Sequence, residues 1–179
     1  GSHFINLIME KYNNINIINI DAMYYCANEL NIHEKWRNCK RYTFIKCNLC
    51  DYKNLKDIFE KYNPTHIIHF AAQSHVQNSF NESLQYTNDN VVGTHTLLEV
   101  SRIYNKIQKF IHVSTDEVYG ESMLSVNEKQ KTEHSILCPT NPYAATKAGA
   151  ELIAQSYCHS FKMPIIITRG NNVYGPNQY

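Results

Sequence analysis

Hydrophobic positions along the chain follow two spacings. Short β-branched runs at residues 16–21 (NIINID), 42–49 (YTFIKCNL), 65–72 (THIIHFAA), 109–115 (KFIHVST) and 164–169 (PIIITR) are mostly apolar on both faces, as buried parallel strands are. Between them, residues 4–11, 55–62, 84–104 and 143–161 carry apolar side chains at helical spacing. This alternation predicts an α/β fold, a doubly wound parallel sheet of Rossmann-like type with right-handed crossovers and helices on both faces. Ligands of such sheets bind beyond the carboxyl ends of the strands, so the residues that close each run hold the chemistry.

The 179 residues are enough for one domain or most of one, and 43% hydrophobic residues with 18% charged can bury a sizeable core. The longest apolar stretches, such as residues 67–72, fall far short of the ~18 residues that suggest a membrane span. Seventeen basic residues against sixteen acidic ones, scattered along the chain, provide no positive field for nucleic acid. Six cysteines without a preceding signal peptide predict a reducing, cytoplasmic setting. Cys47 and Cys50 form a C-x-x-C, but no second ligand pair accompanies them, and His66 and His69 point to opposite faces of a strand. Both cysteines read as packing residues, and no metal is expected.

Asp21 closes the first run, where a dinucleotide-binding sheet places an acid on the adenosine ribose; a carboxylate there favours NAD over NADP. An Asp after a strand is also a common turn residue. Gly1 stands 20 residues upstream, which fits the last glycine of a phosphate-binding fingerprint and fits a residue left by cloning equally well. Ala71 and Ala72 are small enough for a cofactor to approach, and Gln73, Ser74 and His75 follow. The fourth run ends in Ser114-Thr115-Asp116-Glu117. Tyr143 and Lys147 lie four apart on a predicted helix, where an ammonium on the same face helps a phenol, whose ordinary pKa is near 10, to act as a base. Thr115 can orient the same substrate oxygen. Asp116 and Glu117 share a site only because strand alternation fails at the strand end, and two carboxyls in different environments suit elimination of water.

HFAAQSHV (69–76), NVVGT (90–94), VSTDEVYG (113–120), PTNPYAATKAGAE (139–151) and TRGNNVYGPNQ (168–178) together resemble the extended short-chain dehydrogenase/reductase family, and within it the nucleotide-sugar 4,6-dehydratases that act on dTDP-glucose or UDP-glucose. The family pattern GFIGSHF also matches residues 1–4 and favours a native Gly1. The resemblance implies that Tyr143 takes the proton of the sugar 4-hydroxyl, with Lys147 on the nicotinamide ribose and Thr115 on the oxygen. Glu117 would then remove the C5 proton, and Asp116 would protonate the departing 6-hydroxyl. It implies NAD as cofactor, lined by Gly1, Asp21, Asn48, Leu49, Phe70, Ala71, Ala72, Gln73, Ser74, Asp89, Tyr143, Lys147 and Val173. Ser74, Thr115 and Asn172 are implied on the substrate, a nucleoside-diphosphate glucose.

Three residues depart from that pattern: Asn48 replaces an Asp beside adenine, Gln77 an Asp, and Asp89 a Thr that contacts the cofactor. TRGNNVYGPNQ looks more like the plant-type enzymes that use UDP-glucose. The resemblance further implies a homodimer in deoxysugar (rhamnose) biosynthesis, and an NAD-binding domain over residues 1–179 that lacks the family's first strand and the carboxyl-terminal substrate region. An epimerase or other oxidoreductase of the same family, which needs no Asp116-Glu117 pair, and an inactive fragment acting as a binding protein are the competing readings.

Overall fold

The computed structural model describes residues 1–122 and 130–178; Tyr179, where the sequence stops, lies outside them. Helix α1 (Ser2–Lys11) leads into strand β1 (Ile17–Asp21), a short helix α2 (Glu34–Arg37), β2 (Tyr42–Lys46), α3 (Tyr52–Tyr62) and β3 (His66–His69). Next come α4 (Val76–Asn81), α5 (Ser83–Tyr86), a π-helical segment (Thr87–Val92), α6 (Gly93–Tyr104), β4 (Lys109–Thr115), α7 (Pro142–Phe161) and β5 (Ile165–Gly170). All strand pairings are parallel: β1 with β2, and β3, β4, β5 in that order. The strands form two sheets, and β1 and β3 each have one edge without a strand partner among the described residues.

Local chemistry explains the element ends. Asp51 Oδ1 accepts from the Asn54 amide to start α3, and Asn63 ends it in the left-handed region at φ 49°. Asn105 and Lys162 end α6 and α7 in the same way. The larger core forms where Leu55 and Phe59 of α3, Leu97 and Leu98 of α6 and Ala154 and Tyr157 of α7 close over Phe110 of β4. A smaller one joins Ile5 and Met9 of α1 to Ile32 and Tyr42.

The sequence pattern and the structure differ most at strand ends. β2 stops at Lys46 and β3 at His69, so Cys47 to Leu49 and Phe70 to Ala72 are loops and not strand. Cys47, Leu49, Ala71 and Ala72 line a pocket, and of these Cys47 also continues the ladder by donating its amide to the Asp21 carbonyl at 3.1 Å. Residues 84–104 read as one helix; the structure widens it to π geometry over Thr87–Val92, as π segments do at functional sites. His66 is exposed and His69 buried, as alternation requires. All six cysteines are free, and among the described residues no group of three or more His, Cys, Asp or Glu side chains could hold a metal. No helix among them is long and apolar enough to cross a membrane.

Candidate active site

The carboxyl ends of β1, β2 and β3 open onto one pocket. Its walls include Asp21, Asn48, Leu49, Ala71, Ala72, Gln73 and Asp89, seven of the residues expected around the cofactor, together with Ile20, Ala22, Tyr24 and Cys47. Asp21 Oδ1 accepts from the Met23 amide at 2.7 Å, so the carboxylate both shapes the turn and faces the pocket. Asp89 holds the opposite wall: its Oδ2 accepts from Gln73 and Gln85 at 2.8 Å each, and its Oδ1 from the Tyr24 hydroxyl at 3.2 Å. Tyr24 in turn accepts from Asn48 Nδ2 at 2.9 Å. Burial, and after it the Asp89 charge, pushes the Tyr24 phenol up.

A second cluster follows β4. The strand ends at Thr115 and a 3₁₀ turn over Asp116–Tyr119 begins, which breaks the alternation and leaves Asp116 and Glu117 both half-buried. Thr115 Oγ1 caps that turn, accepting from the Glu117 amide at 3.2 Å, and donates to Asp116 Oδ1 at 3.3 Å. Tyr143 is buried near the start of α7; burial first, then the Glu117 charge, pushes its phenol up to about 12, while the neighbouring Thr115 hydroxyl pulls the other way. Asn141 caps α7 by accepting from the Ala144 amide at 2.8 Å, and its Nδ2 donates to Glu117 Oε2 at 3.0 Å.

Lys147, buried on the same helix, donates from Nζ to the Val113 carbonyl of β4 at 2.6 Å. Burial lowers it to about 8, against the opposing pull of Glu151. Behind it, His112 of β4 is neutral, pushed down to about 3 by burial and by the Lys147 charge.

Pocket and cluster are one region, joined by Asn90. This buried amide accepts from the Gln73 amide at 2.7 Å and donates to the Gln73 carbonyl at 3.0 Å and to Thr146 of α7 at 2.9 Å. Other expected residues are not among the pocket's walls. Phe70 is 42% exposed and packs on Phe4, ring centroids 5.6 Å apart. Ser74 is exposed, and Asn172 and Val173 sit on a wholly exposed stretch, Val173 at 91%. Gly1 is the N-cap of α1, and a Cβ built on it meets nothing within 4 Å. Sequence reasoning missed Tyr24, Asn90 and Asn141; of these only Asn141, directly before a helix-starting Pro, carries a local signal, that of an N-cap.

A dTDP-D-glucose 4,6-dehydratase from Dictyostelium discoideum is 46% identical over 186 residues, covering 100% of this chain and 42% of the relative. A trifunctional UDP-glucose 4,6-dehydratase/UDP-4-keto-6-deoxy-D-glucose 3,5-epimerase/UDP-4-keto-L-rhamnose-reductase from Arabidopsis thaliana is 44% identical, with 100% of this chain and 27% of the relative covered. The crystal structure of a dTDP-glucose 4,6-dehydratase from Streptomyces venezuelae with NAD and TYD bound superposes with a TM-score of 0.91 at 34% identity, covering 100% of this chain and 54% of that one. The chain therefore spans half or less of the length of these curated relatives. The family model described as GDP-mannose 4,6 dehydratase matches residues 1–179, and the chain belongs to that family, within the extended short-chain dehydrogenases/reductases.

Proposed function

We propose that the chain carries the oxidation and elimination machinery of an NAD-dependent nucleotide-sugar 4,6-dehydratase. This lyase removes water from a nucleoside-diphosphate glucose, dTDP- or UDP-linked, and leaves the 4-keto-6-deoxy sugar nucleotide. The observation that carries the reading is the convergence of Tyr143, Thr115, Asp116 and Glu117 at the end of β4. A simple oxidoreductase or epimerase needs one proton shuttle; two further carboxyls in one hydrogen-bonded cluster suit acid-base elimination.

The pocket residues fit NAD. Ala71 and Ala72 allow close approach, the end of α1 at Gly1 is open in the way a pyrophosphate needs, and Asp21 and Asp89 put two carboxylates where a 2′-phosphate would be repelled. NAD bound there would supply the hydride acceptor for sugar C4 and, once reduced, the hydride donor for C6. Tyr143 takes the 4-hydroxyl proton. The resulting ketone acidifies C5, whose proton passes to Glu117, and Asp116 in its acid form protonates the departing 6-hydroxyl. Glu117 can hand its proton back to C5 as the hydride reaches C6. The balance then leaves Tyr143 with one proton too many and Asp116 with one too few; the Thr115 hydroxyl, which donates to Asp116 and lies beside Tyr143, can relay that proton. Lys147 supplies the positive charge on the same helix.

The same reading includes Ser74 and Asn172 on the sugar nucleotide, Phe70 and Val173 against the cofactor, an NAD-binding domain over residues 1–179, a cytoplasmic setting in which the six cysteines stay free, and a homodimer. Exposed Leu84 of α5 and Leu152 and Phe161 of α7 support the last. Mass spectrometry of the products formed by the full-length gene product from dTDP-glucose and from UDP-glucose is the test. Loss of 18 mass units from either, with no net reduced cofactor, is expected for a hydro-lyase. An epimerised product of unchanged mass would overturn the reading.

A further inference from the structure

Both halves of the Asn141 amide are engaged. Oδ1 accepts from the Ala144 amide, an acceptor role that only the carbonyl can fill, so the orientation of the group is fixed and Nδ2 must face Glu117 Oε2, 3.0 Å away. Pro142 at the first helical position fixes the backbone beside it. Glu117 is thus held at two points: its amide on Thr115 and one carboxylate oxygen on Asn141. The hydrogen bond that the carboxylate makes uses Oε2 and leaves Oε1 to receive a proton.

We propose that Asn141 is a positioning residue for the elimination step. It occupies one oxygen of Glu117, presents the other to the C5 proton, and ties that base to the helix start from which Tyr143 projects, so that shuttle and base keep one spacing. The cap to the Ala144 amide and the contact to the carboxylate use different ends of one side-chain amide, so a shorter capping residue can keep the first and lose the second. The inference rests on the reading of Glu117 as the C5 base.

Asn141→Ser separates the two contacts. Serine caps helices about as well as asparagine, yet its hydroxyl stops short of Glu117. In the full-length gene product with NAD, the melting temperature of this variant should stay at the wild-type value, and reduced nicotinamide should form in a single turnover at a rate within about twofold of wild type. Its decay should slow about 10- to 150-fold, as for loss of one hydrogen bond to a charged group. The isotope effect from deuterium at C5 should rise, since proton removal then limits the rate. Asn141→Asp, which keeps the cap and sets a second carboxylate against Glu117, should slow the same step further. Wild-type decay in Asn141→Ser, or equal loss of formation and decay, would overturn the positioning role. Glu117→Gln measured alongside separates the two failures. If it accumulates reduced nicotinamide while Asn141→Ser does not, only the role of Asn141 falls; if it does not, the assignment of Glu117 and with it this proposal both fall.

Discussion

Thr115→Val removes one hydroxyl and keeps the outline of the side chain. That hydroxyl, in a residue 8% exposed, accepts from the Glu117 amide, donates to Asp116 and lies beside the Tyr143 phenol, which it lowers. With valine the phenol, already pushed up to about 12 by burial and by Glu117, loses the hydroxyl that lowers it, whose single proton can turn from Asp116 to the phenolate once Tyr143 ionises. A hydrogen bond to a charged group contributes about 1.5–3 kcal/mol, and at about 1.36 kcal/mol per tenfold this predicts C4 oxidation slowed about 10- to 150-fold. The sign with pH follows. Tyr143 acts in its deprotonated form, so raising its pKa moves the rise of rate to higher pH, and the deficit narrows as pH increases. Thr115→Ser restores the hydroxyl and should keep most of the rate. The assay is single-turnover appearance of reduced nicotinamide from dTDP- or UDP-glucose, read at a series of pH values. A valine variant as fast as wild type, or serine and valine variants equally slow, would refute the reasoning.

Two further outcomes follow from buried charges. Glu151, with no exposed surface, accepts from Arg169 Nε at 2.9 and 3.1 Å, again from Arg169 Nη2, and from Gln155; Glu151→Gln should cost about 3–5 kcal/mol in denaturant unfolding, and a loss below about 1 kcal/mol would show that the pair is dispensable. Lys147 titrates at about 8 in the folded chain against 10.5 as its ordinary value, so between those values the unfolded chain binds more protons. In that window turnover should fall with rising pH while the contribution of Lys147 to stability increases, a difference visible when thermal unfolding is compared with Lys147→Met.

Fold class was legible because the five runs are separated by helical segments and each run keeps its own period. β4 was readable to the residue, Lys109–Thr115, since Asp116 and Glu117 end the apolar pattern abruptly. β2 and β3 were not, because the pocket behind them selects the same apolar side chains as strand burial does. Short elements such as α2 (Glu34–Arg37) and α4 (Val76–Asn81) are too brief for a helical period to appear. Within the site, residue types that name a reaction stood out: Tyr143 with Lys147, Asp116 with Glu117. Residues whose role is to hold others did not. Asn90 touches Gln73, 17 positions away, and Thr146, 56 positions away, and no spacing rule reports a contact of that range.

The two departures around the cofactor pocket show how far partners decide what a substitution means. Read separately, Asn48 for Asp and Asp89 for Thr are two lost family contacts. In the structure they are the ends of one chain of hydrogen bonds, Asn48 Nδ2 to the Tyr24 hydroxyl and that hydroxyl to Asp89 Oδ1. A phenol has a single proton to donate. With Asp at both positions, Tyr24 could satisfy one carboxylate only, and the second negative charge would stand against the first across a half-open pocket. An amide at 48 donates where a carboxylate could only accept, so the neutral residue at 48 is what allows the charged one at 89. The pair is consistent as a pair, and each residue accounts for the other.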